Sequence, residues 1–224
     1  MILSRRELSK MNIAGINSHC HDRGAGLLTL SLGEYRDYEA PAGQRLVVGM
    51  HPWDTEGWEL QRLREELSVA ISDSRVVAIG EVGIDPLRGA EVARQEELLR
   101  EQLTMAIEAG MPVMFHIVRR YDILMRLHKE MRPIVAWGVH GFRGNEDVAR
   151  QLVKAGIYIS VGMKFNAEAV KLIPGELLLL ETDELPEERI AEVVEKVAAT
   201  RGETPEILAA LARDNRARFF ANRK

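Results

Sequence analysis

Val76-Val77-Ala78-Ile79-Gly80-Glu81 is a short apolar run closed by a carboxylate, and an amphipathic helical stretch from Glu91 to Ala109 follows it. The pairing recurs along the chain. Runs from Ile13 to His21, Leu46 to His51, Met111 to His116, Ile134 to His140 and Leu177 to Asp183 also end in an imidazole or a carboxylate. Helical periodicity appears at 58–71, 121–131, 146–155, 187–200 and 205–221, with a shorter stretch near 167–173. Apolar runs alternating with helices of this length predict βα units and a parallel sheet. Strands are expected at 13–19, 27–32, 46–51, 76–81, 112–117, 134–140, 157–161 and 177–182. Eight such units make an α/β, TIM-like (β/α)8 barrel, whose strands all point one way and whose carboxyl ends gather on one rim. Cys20 to Gly26 is too short for a crossover helix, so the barrel is expected to lack its first one. Gly33 to Gln44, with Pro41 and Gly43, reads as a loop. Gly110, Gly156 and Gly202 stand where helix C-terminal glycines belong, and Asn145 where an N-cap does.

At 224 residues and 46% hydrophobic, the chain has the size of one domain spanning 1–224, with 1–10 as a loosely attached lead-in. Thirty basic against 34 acidic residues argue against a long, sequence-independent grip on duplex DNA, but not against a local phosphate site. One cysteine excludes an intramolecular disulfide framework and points to the cytoplasm. Arg5, Arg6 and Lys10 precede no secretory apolar region, and no run approaches a membrane span. Neither a membrane nor an obligate protein partner is expected.

The run ends carry the chemistry. His19 and His21 are two apart, so on an extended chain both imidazoles project from one face and Cys20 from the other, as a small buried hydrophobe. Imidazole and carboxylate suit a borderline divalent ion such as zinc, with a position left open for water. Leaving Glu81 unpaired against its apolar run would cost several kcal/mol, and a place between two cations relieves that cost. His116 and His140 complete a second centre. Asp183, after four consecutive leucines and Glu181-Thr182, is the expected base. Two cations about 3.5–4 Å apart activate one water and neutralise an oxygen under attack. The alternative is a set of histidines satisfied within the barrel interior, which does not explain why nearly all fall at strand ends.

His51 differs, because Pro52 and the loop Trp53-Asp54-Thr55 follow at once; it is expected to touch substrate. His128 lies inside a helical stretch and is assigned no role. Arg119, Arg120, Arg143 and Lys164 follow the ligands closely and belong on the same rim, where guanidinium and ammonium groups favour a phosphoester substrate over a neutral amide. Trp53, Phe142 and Phe165 are expected to pack under the rim loops rather than stack on bases.

His19-Cys20-His21, Gly49-Met50-His51-Pro52, Gly80-Glu81-Val82-Gly83-Ile84-Asp85, Pro112 to His116, His140-Gly141-Phe142-Arg143-Gly144 and Glu181-Thr182-Asp183 together resemble the TatD family of metal-dependent hydrolases. The resemblance spans nearly the whole chain. It implies an amidohydrolase-type barrel and a divalent-metal deoxyribonuclease activity on DNA or a small phosphoester, often exonucleolytic, with two ions (zinc, manganese or magnesium). It also implies His19, His21, Glu81 and Asp183 on one metal, and Glu81, His116 and His140 on the other. Asn17 replaces the usual acidic residue, Val118 the usual arginine and Glu184 the usual proline. Arg119 or Arg120 is the available substitute for that arginine. The rival readings are a barrel hydrolase of a non-nucleic ester, lactone or amide, and an inactive metal-binding scaffold.

Overall fold

A computed structural model describes residues 14–221; the lead-in expected at 1–10 lies outside them. The chain divides into two compact units. One runs from Gly26 to Val139 and takes in Phe220 and Ala221; the other combines 14–25 with His140–Phe219.

Within the first unit five strands pair in parallel, each with the next in the chain: β1 (Leu27–Ser31), β2 (Arg45–Gly49), β3 (Val76–Ile84), β4 (Val113–Ile117) and β5 (Trp137–Val139). β3 is buried along its whole length, as a strand covered on both faces must be. It runs three residues past the expected end at Glu81, because Val82 and Ile84 continue the apolar strand around Gly83. Gly83 has φ +157°, and a Cβ there would lie 1.8 Å from the His116 carbonyl oxygen; only glycine lets β3 approach β4 this closely.

Ser31 ends β1 and caps α1 (Leu32–Arg36), its hydroxyl accepting from Glu34 N while the Glu34 carboxylate accepts from Ser31 N. The loop expected at 33–44 therefore begins as a helix. The signal for it is the reciprocal Ser-x-x-Glu cap, Ser31 to Glu34. α2 (Leu60–Ser72) buries Leu63, Leu67 and Ala70; α3 (Val92–Glu108) buries Leu98, Leu99, Leu103 and Ala106; α4 (Tyr121–Met131) buries Ile123, Leu124 and Leu127. These three- and four-residue spacings are the apolar stripe that covers a sheet. Ile134 is exposed, so the expected run 134–140 pairs only from Trp137.

The second unit holds α5 (Glu146–Lys154), β6 (Tyr158–Val161), α6 (Ala167–Lys171), β7 (Leu178–Leu180), α7 (Ile190–Arg201) and α8 (Pro205–Phe219). β6 and β7 are parallel. The strand expected at 13–19 survives as two isolated parallel bridges, Asn17 with Leu180 and Cys20 with Asp183, because Gly15 turns the chain just before; its first residue lies outside the described ones. No helix joins it to β1, as expected. α8 secures this short segment: Arg216 Nε donates to Asn17 O at 2.7 Å and Arg213 Nε to Ala14 O at 3.1 Å. Buried Asn215 donates to Gly175 O and Leu178 O at 2.6 and 2.7 Å, fixing the entry to β7. Gly110, Gly156 and Gly202 all have positive φ, and Asn145 accepts from Val148 N at 3.1 Å, as expected.

Candidate metal centre

In the first unit, Glu81 is buried in β3 and its Oε1 is shared by two imidazoles: His116 Nδ1 at 2.6 Å and His51 Nε2 at 3.3 Å. Both rings are positioned by their elements. His116 sits near the end of β4, opposite Gly83. His51 follows β2, where buried Gln102 of α3 accepts from Met50 N at 2.7 Å, and its Nδ1 accepts from Trp53 N at 3.2 Å. The latter contact turns Nε2 toward the carboxylate. His51, expected against substrate, thus stands among the donor atoms.

Behind His116, Asp85 Oδ2 lies 3.7 Å from Nε2. Burial opposes ionisation of Asp85, yet donation from Trp53 Nε1 and Leu87 N, with the neighbouring His116, holds its carboxyl below the usual range. A carboxylate behind an imidazole orients the ring and strengthens it as a ligand.

In the second unit, the paired segments bring His19, His140 and Asp183 together. Asp183 N donates to His19 O at 3.2 Å and His21 N to Asp183 O at 3.1 Å. Asp183 has φ +57°, sparsely populated for a non-glycine residue, and these two bonds hold it there. His19 Nε2 is 3.7 Å from Asp183 Oδ1, the His19 and His140 ring centres lie 4.1 Å apart with their planes tilted by 38°, and His21 meets His19 edge-on at 4.9 Å. Asn17 explains its departure from an acidic residue: its amide donates to Thr182 Oγ1 at 2.8 Å and accepts from Thr182 N at 3.1 Å. An amide does both, and so keys the His19 segment to Asp183.

Glu181, unassigned from sequence, lies fully buried with Oε1 3.6 Å from His140 Nδ1 and accepting from Gly141 N at 2.6 Å. Its burial disfavours charge, but His140, His19 and Ser160 outweigh this and hold the carboxyl below the usual range. Asp85 and Glu181 were both signalled by an acidic residue inside an apolar run.

Each group offers nitrogen and oxygen donors within 4.8 Å of one another: His51, Glu81 and His116 in one unit, and His19, His140 and Asp183 in the other, where His21, Asp183 and Glu184 make a further set. This chemistry and spacing fit a borderline divalent ion.

The expected phosphate-binding cations separate. Arg143 and Lys164 are exposed, have no hydrogen-bond or ion-pair partner among the described residues, and line one cavity of about 270 Å³ with Met163, Glu181, Asp183 and Glu184. Arg120 is engaged by Asp122 through two bonds of 2.9 Å, whereas Arg119 is exposed and has no such partner. Of the two arginines after Val118, Arg119 is thus the one not engaged by a carboxylate among the described residues. Phe142 is buried, as expected, but Trp53 is 43% exposed. Cys20 is buried, and desolvation raises its thiol pKa. His128 packs edge-on against Trp137 at 5.1 Å, and burial lowers its pKa.

Parallel strands delivering imidazoles and carboxylates near their carboxyl ends define a metal-dependent hydrolase. The TatD related DNase family model matches residues 31–221, and the chain belongs to that family. It is 30% identical over 200 residues to a 3′-5′ ssDNA/RNA exonuclease TatD of Cronobacter sakazakii, covering 77% of this chain and 75% of the relative. It is 33% identical over 147 residues to an uncharacterized metal-dependent hydrolase, YabD, of Bacillus subtilis, covering 61% and 56%. The crystal structure of YJJV, a TatD homolog from Escherichia coli, superposes with a TM-score of 0.76 at 25% identity, over 96% of this chain and 92% of that one. A TatD family hydrolase from Entamoeba histolytica gives 0.73 at 18% identity, over 88% and 85%. The expected α/β, TIM-like fold class stands on these likenesses. No helix among the described residues is long and apolar enough to cross a membrane.

Proposed function

We propose that this chain is a deoxyribonuclease that removes nucleotides from single-stranded ends by hydrolysing phosphodiester bonds with two divalent ions. The observation that carries the reading is the pair of donor groups, each with two imidazoles and a carboxylate, together with unpartnered Arg143 and Lys164 beside Asp183. The exonuclease activity for which the Cronobacter relative is named supports the substrate class. In this reading His19, His21, Glu81 and Asp183 hold one ion and Glu81, His116 and His140 the other. His51 is the spare donor toward either the ion or a phosphate oxygen. The imidazole-rich sets favour zinc or manganese over magnesium. A buried thiol and no disulfide suit a reducing cytoplasm.

When bound, the ions would supply Lewis acidity and lower the pKa of water. Asp183, the accessible carboxylate, accepts the proton that the attacking water loses. Arg143, Lys164 and Arg119 neutralise the phosphate and orient it. Glu181 and Asp85 hold their imidazoles in place.

The test is to strip the protein of metal, restore zinc, manganese or magnesium, and assay single-stranded DNA, double-stranded DNA and model carboxylic esters, with metal content measured alongside. Two equivalents of metal and mononucleotide release from single strands are expected. Turnover of esters alone, or activity with no bound metal, would overturn the reading.

A further inference from the structure

Trp53 is large, aromatic and 43% exposed, and Leu87, in the loop after β3, is 64% exposed. Neither exposure reflects a loose loop. The Trp53 indole Nε1 donates to Asp85 Oδ2 at 2.6 Å, and Leu87 N donates to Asp85 Oδ1 at 2.9 Å, so one buried carboxylate fixes both. Gln95, also buried, clamps the loop from below: its Oε1 accepts from Asp85 N, and its Nε2 donates to the carbonyls of Asp85, Arg88 and Ala90. Thr55 ties the Trp53 loop to the same segment, donating to Pro52 O at 2.7 Å and accepting from Ala90 N at 3.0 Å. Gly89, at φ +76°, allows the closest approach; a Cβ there would lie 2.0 Å from Pro52 O.

On this rigid base the Arg88 guanidinium lies 4.3 Å over the Trp53 ring. Arg88 is exposed, and no carboxylate pairs with it among the described residues. The Trp53 ring stands 4.6 Å from the His51 ring and 5.7 Å from that of His116, both nearly perpendicular to it. An aromatic plane, a guanidinium stacked on it with no carboxylate partner among the described residues, and an exposed leucine, all held beside metal-type donors, match a nucleotide in chemistry: a base has a π-face for the stacked pair, and its phosphate an anion for the arginine.

Building on the nuclease reading, we propose that Trp53 and Arg88 form a stacking subsite that holds the base of a single-stranded nucleotide flanking the scissile phosphate. Pre-ordering by Asp85, Gln95 and Thr55 removes the entropic cost of assembling it on binding. Stacking accepts any base, so the subsite favours unpaired strands without selecting sequence.

The experiment titrates metal-stripped protein with a 5′-dye-labelled short single-stranded DNA and with the same strand carrying abasic sugars at its 3′ end, reading affinity by dye anisotropy and quenching by tryptophan fluorescence. Wild type is expected to bind the normal strand about 5- to 100-fold more tightly than the abasic one, with quenching. Trp53→Ala should abolish that ratio, and Trp53→Phe should keep most of it while losing the quenching. Arg88→Ala, which leaves the Asp85 and Gln95 contacts in place, should weaken both strands alike and flatten the salt dependence by roughly 0.7 in log–log slope. A ratio of one in wild type, or an undiminished ratio in Trp53→Ala, overturns the subsite. A merely structural role would shift both strands together and leave the ratio intact. Nucleotide release by the metal-loaded wild type is scored separately: release without base discrimination rejects the subsite alone, and absence of release rejects the nuclease reading while the titration still decides the subsite.

Discussion

The two donor groups use the same chemistry in opposite arrangements. In the first unit the carboxylate is hidden and the imidazoles face outward: the Glu81 side chain is 5% exposed, against 14% for His51 and 15% for His116. In the second, the imidazoles are hidden and the carboxylate faces outward: the His19 side chain is 0% exposed and that of Asp183 is 32%. A buried carboxylate flanked by nitrogen donors is poorly placed to exchange protons with water and well placed to hold cations. An accessible one, set at a strained φ, suits proton transfer. Each group also has one further buried carboxylate behind an imidazole, Asp85 behind His116 and Glu181 behind His140. The similarity therefore lies in ligand support, and the difference in which group meets solvent.

The sharpest way to break this comparison is Glu81→Ala. Loss of the buried carboxylate should lower kcat/KM on single-stranded DNA by at least about 10³-fold and reduce bound metal, as read by elemental analysis. Asp183→Asn should lower kcat by about 10²- to 10⁴-fold with a smaller change in KM and, since Asp183 serves one ion and Glu81 both, should lose less metal than Glu81→Ala; an equal loss would show that the division of labour is wrong. Asp85→Asn and Glu181→Gln should each weaken metal affinity by about 10- to 100-fold in a chelator competition. Unequal losses would show which group is the better supported.

The smallest effect lies outside both groups and serves as a reference for stability. Arg75 hydrogen-bonds the Asp73 carboxylate and lowers its pKa from 3.8 to about 2, with Tyr35 donating as well. A depressed carboxyl pKa adds stability that is whole above pH 3.8 and disappears as pH falls toward 2. The Arg75 side chain is 42% exposed, so solvent screening leaves Asp73→Asn costing only about 1 kcal/mol at pH 7 in urea unfolding. Near pH 2 the variant and wild type should unfold alike. Activity of Asp73→Asn should be unchanged, which separates loss of stability from loss of ligands.

Much of this was written in the chain itself. The strand positions, the helix faces and the glycine stops follow from periodicity and backbone permissiveness, which are local properties. So does the choice of His19, His21, Glu81, His116, His140 and Asp183, since polar donors closing apolar runs stand out residue by residue. The continuation of β3 past Gly83 was hidden because a glycine reads as a break until the backbone it must approach, at His116, is known. Asp85 and Glu181 were visible as acids, but their service to His116 and His140 is a matter of distance. Likewise Arg120 is taken by Asp122 while Arg143 and Lys164 stay open, and Trp53 is held at the surface by Asp85 rather than packed beneath its loop. Sequence alone determined which donors exist and which elements carry them, because burial patterns repeat along a chain. Tertiary structure decided which donors are hidden, which are supported and which remain available, because those depend on neighbours that the chain supplies from afar.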